Sequence, residues 1–535
     1  MTGTGTLLRL MLRRDRWRLP AWVLGLSLLM AYFSTALGTV LDGESLVGLA
    51  QLALSPVTAL VGGPSYGLDE VTVPRFLAGL YGVYLMLGAA LMSMLTVSRH
   101  TRAEEQSGRA ELVLAGVVGR HAQPAAALIL TVVMNLLLAA LMTGVVLTAP
   151  IEPAPEVAST ILFTSSIAAA GIAFAGVATV TAQLSPYSRT CTSLAGLILA
   201  VSFVVRGLGD MSRVQGGDLA WLSWLSPIGW AQQTAPYTLD RWWPLLLPLV
   251  FSVLAVALGS RLRARRDMAA GIIADRPGRT QAATWLGSPL ALAWRLQRGT
   301  ILGWSVAMLT AGLVFGAFTR TIADTAGDMP VEILAVLGGA MGITEGYLGF
   351  MGVYFAVIIS VYGILAVTAL RAEEAGYRTE PVLSTAVGRR AWLLSWVGVA
   401  AAGAFWLCLL AGLAEGVGAG LVTGEWSLLG PTVLGHSVQF APVWLFIGLV
   451  AVLYGLAPRM TGLAWLVFIS GSVLIMFGRM IELDQVWLNL SPFEHVGQHP
   501  ATEVGWTGVV VLAGMGVLLA LLGALAFRHR DLTAS

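Results

Sequence analysis

Residues 102–105 read Arg-Ala-Glu-Glu, and residues 371–374 read the same four again. The match is longer than the tetrad: Arg102 to Ala122 aligns without a gap to Arg371 to Ala391, with 12 identities in 21 positions. Glu105 and Arg109 stand i, i+4 with the acid first, the better order on a helix, and Glu374 and Arg378 repeat the spacing. Glu104 with Glu111, and Glu373 with Glu380, fall two turns apart on one face. The pattern predicts a short charged helix in each copy, carrying Arg102, Glu104, Glu105, Arg109 and Glu111 in the first and Arg371, Glu373, Glu374, Arg378 and Glu380 in the second. Pro381 replaces Leu112 in the second copy, so there the helix must stop or restart. Such a helix offers ion pairing rather than bond making: it reads either as a solvated connection held inside by its arginines or, as a twice-kept R-A-E-E favours, as a docking element that transmits force from a cytoplasmic partner. Two of them suit a two-fold symmetric partner.

Bond-making chemistry has little footing elsewhere. All 31 Lys+Arg residues are arginine. A P-loop needs a lysine on the β- and γ-phosphates, so any ATP must be bound by another polypeptide. A membrane-embedded enzyme needs carboxylates or histidines gathered at one depth, whereas Asp69, Glu70, Glu345 and Glu494 are scattered. His495 and His499 are four apart, but no Glu follows His495 as in HExxH, and Gly497 between them weakens a helix. Cys191 and Cys408 lie in apolar runs, where a thiol behaves as a small hydrophobe. No metal, no cofactor and no nucleic acid is expected on this chain.

The elements that position the charged loops are membrane spans. With 57% hydrophobic and only 11% charged residues, the composition lies far from soluble domains, which carry roughly 25% charge. The apolar residues gather into runs of about 20, the length a helix needs to cross the hydrocarbon core. Hydropathy places spans near 21–41, 77–98, 123–148, 158–184, 190–206 and 243–260, then near 300–320, 346–369, 391–414, 438–457, 461–478 and 504–527. With the amino terminus inside, 25 arginines fall on that side and six outside. The positive-inside rule therefore puts both termini in the cytoplasm of a multi-pass protein of the inner (plasma) membrane. Trp221, Trp224, Trp230, Trp242 and Trp243 fall where an outer aromatic belt is expected.

The repeat extends beyond the charged loop. Gly82-Val83-Tyr84 corresponds to Gly352-Val353-Tyr354, Leu184-Ser185-Pro186 to Leu456-Ala457-Pro458, and Leu225-Ser226-Pro227 to Leu490-Ser491-Pro492. Each half opens on a basic, amphipathic lead-in, around Leu7 to Arg18 and Leu290 to Arg298. The expected fold is thus all-α and polytopic: twelve spans in two parallel six-helix repeats, a pseudo-dimer. The halves are 1–260 and 290–535, joined by a cytoplasmic linker over 261–289. An even number of spans per half relates the repeats by an axis along the membrane normal, with the pathway expected between them. Arg206 and Arg479 close span five of each half beside a glycine, as interfacial anchors or an outer gate.

Apart from their ends, the twelve apolar cores read from hydropathy hold no Asp, Glu, Arg or His, which argues against ion-driven transport. Two six-span units, a basic lead-in, a charged R-A-E-E loop between spans two and three and an outer segment between spans five and six resemble the type-2 permeases of ABC exporters. Within these, the fused twelve-span chain looks most like the actinobacterial polyketide-antibiotic (tetronasin-type) exporter permeases. The resemblance implies two copies of a separate cytoplasmic ABC ATPase, carrying ATP and Mg, docked on 102–120 and 371–389. It also implies export of hydrophobic or amphiphilic compounds, drugs or lipids, out of the cell, with membrane lipids around the spans. The alternative is a secondary multidrug efflux carrier of the major-facilitator type. Gly271 to Arg279, GIIADRPGR, is similar to the GxxxDRxGR loop of those carriers but stands in the central linker, outside that family's context.

Overall fold

The computed structural model describes residues 2–40, 54–273, 280–325, 342–478 and 483–532, and among these the only regular elements are helices. It divides into two compact units, Met1–Gly278 and Arg279–Ser535.

The first unit contains α1 (Thr4–Arg14), α2 (Arg18–Val40), α3 (Pro56–Val61), α4 (Val73–Phe76), α5 (Gly82–His100), α6 (Arg102–Gln106) and α7 (Arg109–Leu114). It continues with α8 (Ala122–Thr148), α9 (Val157–Thr181), α10 (Ser188–Val214), α11 (Pro227–Gln232) and α12 (Leu246–Ala264). The second contains α13 (Pro289–Thr325), α14 (Ile343–Ala375), α15 (Thr379–Leu383), α16 (Arg389–Thr423), α17 (Leu429–Val438), α18 (Phe440–Leu456), α19 (Leu463–Phe477), α20 (Gln485–Leu488) and α21 (Trp506–His529).

Eleven stretches of helix among the described residues are long and apolar enough to cross a membrane. They cover the second to twelfth expected spans, and the first falls on α2, a helix of 23 residues. Several run past the hydropathy limits. The second lead-in is continuous with its span, since α13 has 37 residues, whereas in the first unit α1 and α2 are separated by a break at residues 15–17.

Small residues let these helices approach. In the first unit α9 is buried on nearly every side and packs against α5, α8 and α12. A Cβ on Gly171 would lie 2.0 Å from Asn135 Oδ1, and one on Gly259 2.9 Å from the Thr179 carbonyl. Asn135 donates to Ser93 Oγ at 2.8 Å and to the Thr131 carbonyl at 2.8 Å. In the second unit α13 lies against α16, where a Cβ on Gly316 would meet the Glu415 carbonyl at 2.2 Å. Such close backbone approach replaces the hydrophobic drive that lipid cannot supply.

The linker is partly built into the first unit. The amides of Ile272 and Ile273 donate to the carbonyls of Gln183 and Leu184 at 2.9 and 3.0 Å. Gly271 is required there, because a Cβ would lie 2.7 Å from Ser185 Cα. The rest of GIIADRPGR, residues 274–279, lies outside the described residues.

Candidate functional site

Each R-A-E-E copy ends in a break of the helix. In the first, α6 stops at Gln106 and Gly108 takes φ +74° before α7 begins. In the second, α14 stops at Ala375 and Tyr377, the residue aligned with Gly108, takes φ +56°. The repeat therefore preserves a left-handed position, and only one copy places the favoured glycine on it. Pro381 falls on the third residue of α15, in the first turn, where its missing N–H is not needed for the helix ladder.

The breaks overturn the expected i, i+4 pairs. Arg109 turns to Ser107 Oγ at 3.1 Å, and Arg378 forks onto Glu373 at 2.7 and 2.9 Å. The glutamates left behind point inward. Glu105 accepts from Arg102 at 2.5 Å and from Arg266 at 2.7 and 2.9 Å, with Arg263 at 3.9 Å. Arg102 also donates to the carbonyls of Ala269 and Ala270 at 3.0 and 2.7 Å, and Arg266 to Gln183 Oε1 at 2.8 Å. Glu374 accepts from the Tyr454 hydroxyl at 2.6 Å and from Arg530 at 2.7 Å.

The two clusters share one logic. A glutamate following span two is held by an arginine just beyond the last span of its own unit, with a polar side chain from span four alongside. Arg266 follows α12, which ends at Ala264, and Arg530 follows α21, which ends at His529. Gln183 follows α9, while Tyr454 is on α18.

The ten charged residues expected to dock a partner thus separate into three sets. Arg102, Glu105 and Glu374 are buried inside their units and present no surface for docking, because their charges are consumed by internal partners. Glu104 is covered by an ion pair to Arg14 of α1, and Arg371 and Glu373 are partly buried. Arg109, Glu111, Arg378 and Glu380 are exposed. Beside them stand apolar side chains that the charge pattern did not single out: Leu112 is 78% and Val117 91% exposed, and Tyr377 is 60% exposed. The candidate docking face is this outer part of each loop, anchored by the buried part.

Arg206 is fully buried, so it does not snorkel to an interface. It faces Asp210 at 3.2 Å and donates to the carbonyls of Leu60 and Val61 at 3.1 and 3.4 Å, while Asp210 accepts from Ser223 Oγ at 2.6 Å. These bonds join α10 to α3, and Gly207 admits α3, since a Cβ there would lie 2.2 Å from the Leu60 carbonyl. Arg479, the expected counterpart, lies outside the described residues.

The expectation that no ionisable group enters the apolar cores is corrected. Besides Arg206 and Asp210 within α10, α16 runs nine residues past the expected end at 414, so Glu415 lies inside it. Glu415 and His436 of α17 are both buried, with Oε2 and Nε2 2.7 Å apart, and both lie in candidate membrane-crossing stretches. His495 and His499 each face a backbone carbonyl, of Asn489 at 2.9 Å and Thr502 at 3.1 Å.

The family described as "Multidrug efflux system permease Rv1217c, C-terminal domain" matches residues 5–262 and 286–528. A curated relative, the multidrug efflux system permease protein Rv1217c of Mycobacterium tuberculosis, is 37% identical over 536 residues, covering 99% of this chain and 95% of that protein.

Proposed function

The chain belongs to the Rv1217c family of multidrug efflux system permeases, and from that premise we propose that it is the ABC-2 type permease subunit of an ATP-driven exporter. In this reading it is the transporter component and not an enzyme; two copies of a separate cytoplasmic ABC ATPase bind and hydrolyse Mg-ATP. They dock on 102–120 and 371–389, the twelve spans start and end in the cytoplasm of the plasma membrane, and the cargo is hydrophobic or amphiphilic, as for tetronasin-type exporters.

The observation that carries this is the twice-built loop: an exposed outer part with charged and apolar side chains, and an inner part fixed by buried ion pairs to the ends of other spans. A partner pushing on such a loop moves span two, span four and the end of span six together. A merely solvated connection has no need of that anchorage.

Co-purification from the native cell tests the proposal. The expected result is two ATPase chains per permease, lost in Arg109→Glu with Leu112→Asp and in Arg378→Glu, while the permease still inserts. A permease that binds no ATPase, or exports without ATP, overturns it.

A second reading, an ion-driven carrier, draws support from the Glu415–His436 pair, since buried ionisable groups within spans mark ion pathways. Efflux that persists without ATP, follows a proton gradient and stops in Glu415→Gln would favour it.

A further inference from the structure

The last turn of α12 and the two residues beyond it carry four arginines in six positions, Arg261, Arg263, Arg265 and Arg266. The helical repeat divides them between two faces. At about 100° per residue, Arg263 and Arg266 continue the buried face of Pro248, Ser252, Ala255 and Gly259, and both turn to Glu105, at 3.9 and 2.7 Å. Arg261 and Arg265 fall on the opposite face, and both are exposed. Among the described residues neither of these two forms an ion pair or a hydrogen bond, and Asp267, the nearest acid along the chain, pairs with neither.

The same face is apolar along the rest of the helix. Val250, Leu254 and Leu258 stand in one line with the two arginines, within about 80° of the helix circumference, and all three are exposed. The stretch Trp243–Ala264 is long and apolar enough to cross a membrane, so these side chains meet acyl chains and the arginines stand at headgroup depth. Arg261 lies about 4.5 Å beyond Leu258 along the axis and Arg265 about 6 Å beyond Arg261, at about 1.5 Å per residue. Two guanidinium groups at that spacing on one face can close on a single phosphate.

We propose that this face of α12 binds one anionic phospholipid, its phosphate held between Arg261 and Arg265 and an acyl chain laid along Leu258, Leu254 and Val250. Basic clusters immediately beyond a span select anionic headgroups in this way. A free phosphate or an acidic protein segment would meet the same two charges but would leave the apolar stripe unused. The inference rests on α12 lying in lipid and is independent of ATPase coupling.

The test is native mass spectrometry of the full chain in mild detergent, titrated with dioleoyl phosphatidylglycerol or dioleoyl phosphatidylcholine, with glycerol 3-phosphate as competitor. The tightest phosphatidylglycerol site is expected to weaken about fivefold in Arg261→Gln and in Arg265→Gln and about 25-fold in the double variant. Arg528→Gln removes the one arginine of α21, exposed in its last turn, and should change that site less than about twofold. Unchanged affinity in the double variant, equal binding of phosphatidylcholine, competition by glycerol 3-phosphate at the same concentration as the lipid, or an equal loss in Arg528→Gln would each overturn the proposal. Arg261 and Arg265 are exposed and unpaired, so loss of binding is read in folded protein.

Discussion

Glu105 accepts Arg266 at 2.7 Å across 161 residues of sequence, with both side chains only 4% exposed. The same carboxylate also serves Arg102, so removing it strands two buried guanidinium groups, whereas removing Arg266 leaves Arg102 and Glu105 paired. Breaking a buried ion pair from one side costs about 3–5 kcal/mol. Glu105→Gln should fall in that range and Arg266→Met below it, with the double variant less destabilised than the two losses summed. Thermal unfolding in detergent, run as a double-mutant cycle, checks this; additive losses would mean that the contact carries no coupling.

The spans and the repeat were legible because they are local: a run of apolar residues has a length, and an ungapped 21-residue match has a register. The arginines of the clasps were not, because Arg266 and Arg530 lie 161 and 156 residues from their glutamates and do not fall in the aligned segments. The i, i+4 spacing misled because a left-handed residue stands inside it. Gly108 was a readable warning of a turn, whereas Tyr377 was not, since a tyrosine rarely takes the left-handed conformation. Glu415 and His436 escaped notice because hydropathy placed the span ends at 414 and 438, just short of the first residue and just past the second.

Gly108 and Tyr377 make opposite predictions from one backbone conformation. A non-glycine residue in the left-handed region costs about 1–2 kcal/mol. Gly108→Ala should weaken the first loop by about 1 kcal/mol, from conformation alone, because a Cβ there meets nothing within 4 Å. Tyr377→Gly should relieve the second loop, offset in part by the freedom glycine gains in the unfolded chain. Hydrogen exchange over residues 102–114 and 371–383 reads both: faster in the first variant, unchanged or slower in the second.

Arg206 ties α3 to α10 through one guanidinium nitrogen, Nη2, which donates to both the Leu60 and the Val61 carbonyl, while Nη1 faces Asp210. Arg206→Lys keeps the positive charge but replaces two separate nitrogens, one on Asp210 and one on the α3 carbonyls, by a single ammonium that cannot occupy both positions. The expected outcome is a chain that inserts normally and shows faster amide exchange over residues 54–61. If this join also serves as an outer gate, efflux should fall while ATPase recruitment is unchanged. Unaltered exchange would show that the helix is held by other contacts.

A close helix contact in the second unit predicts where a single methyl group is intolerable. α18 and α21 meet through Gly448 against Gly516 and Gly455 against Gly523, each pair one heptad from the other. A Cβ on Gly448 would lie 2.2 Å from the Gly516 carbonyl, and one on Gly455 2.2 Å from that of Gly523. What it meets is backbone, which cannot rotate away as a side chain can, so the helices must separate along their length. Overpacking of this kind costs about 1–3 kcal/mol, which outweighs the up to about 1 kcal/mol that replacing glycine by alanine returns in helix propensity. Gly448→Ala and Gly455→Ala should therefore each lower the unfolding midpoint. Gly514→Ala, on the same α21 but with nothing within 4 Å of its Cβ, should leave it unchanged or raise it. Because Tyr454 lies beside Gly455 and holds Glu374, forcing α18 and α21 apart should also loosen the second clasp. Gly455→Ala would then speed exchange over 371–383 more than Gly448→Ala does, and equal rates in the two would separate packing of the spans from the setting of the loop.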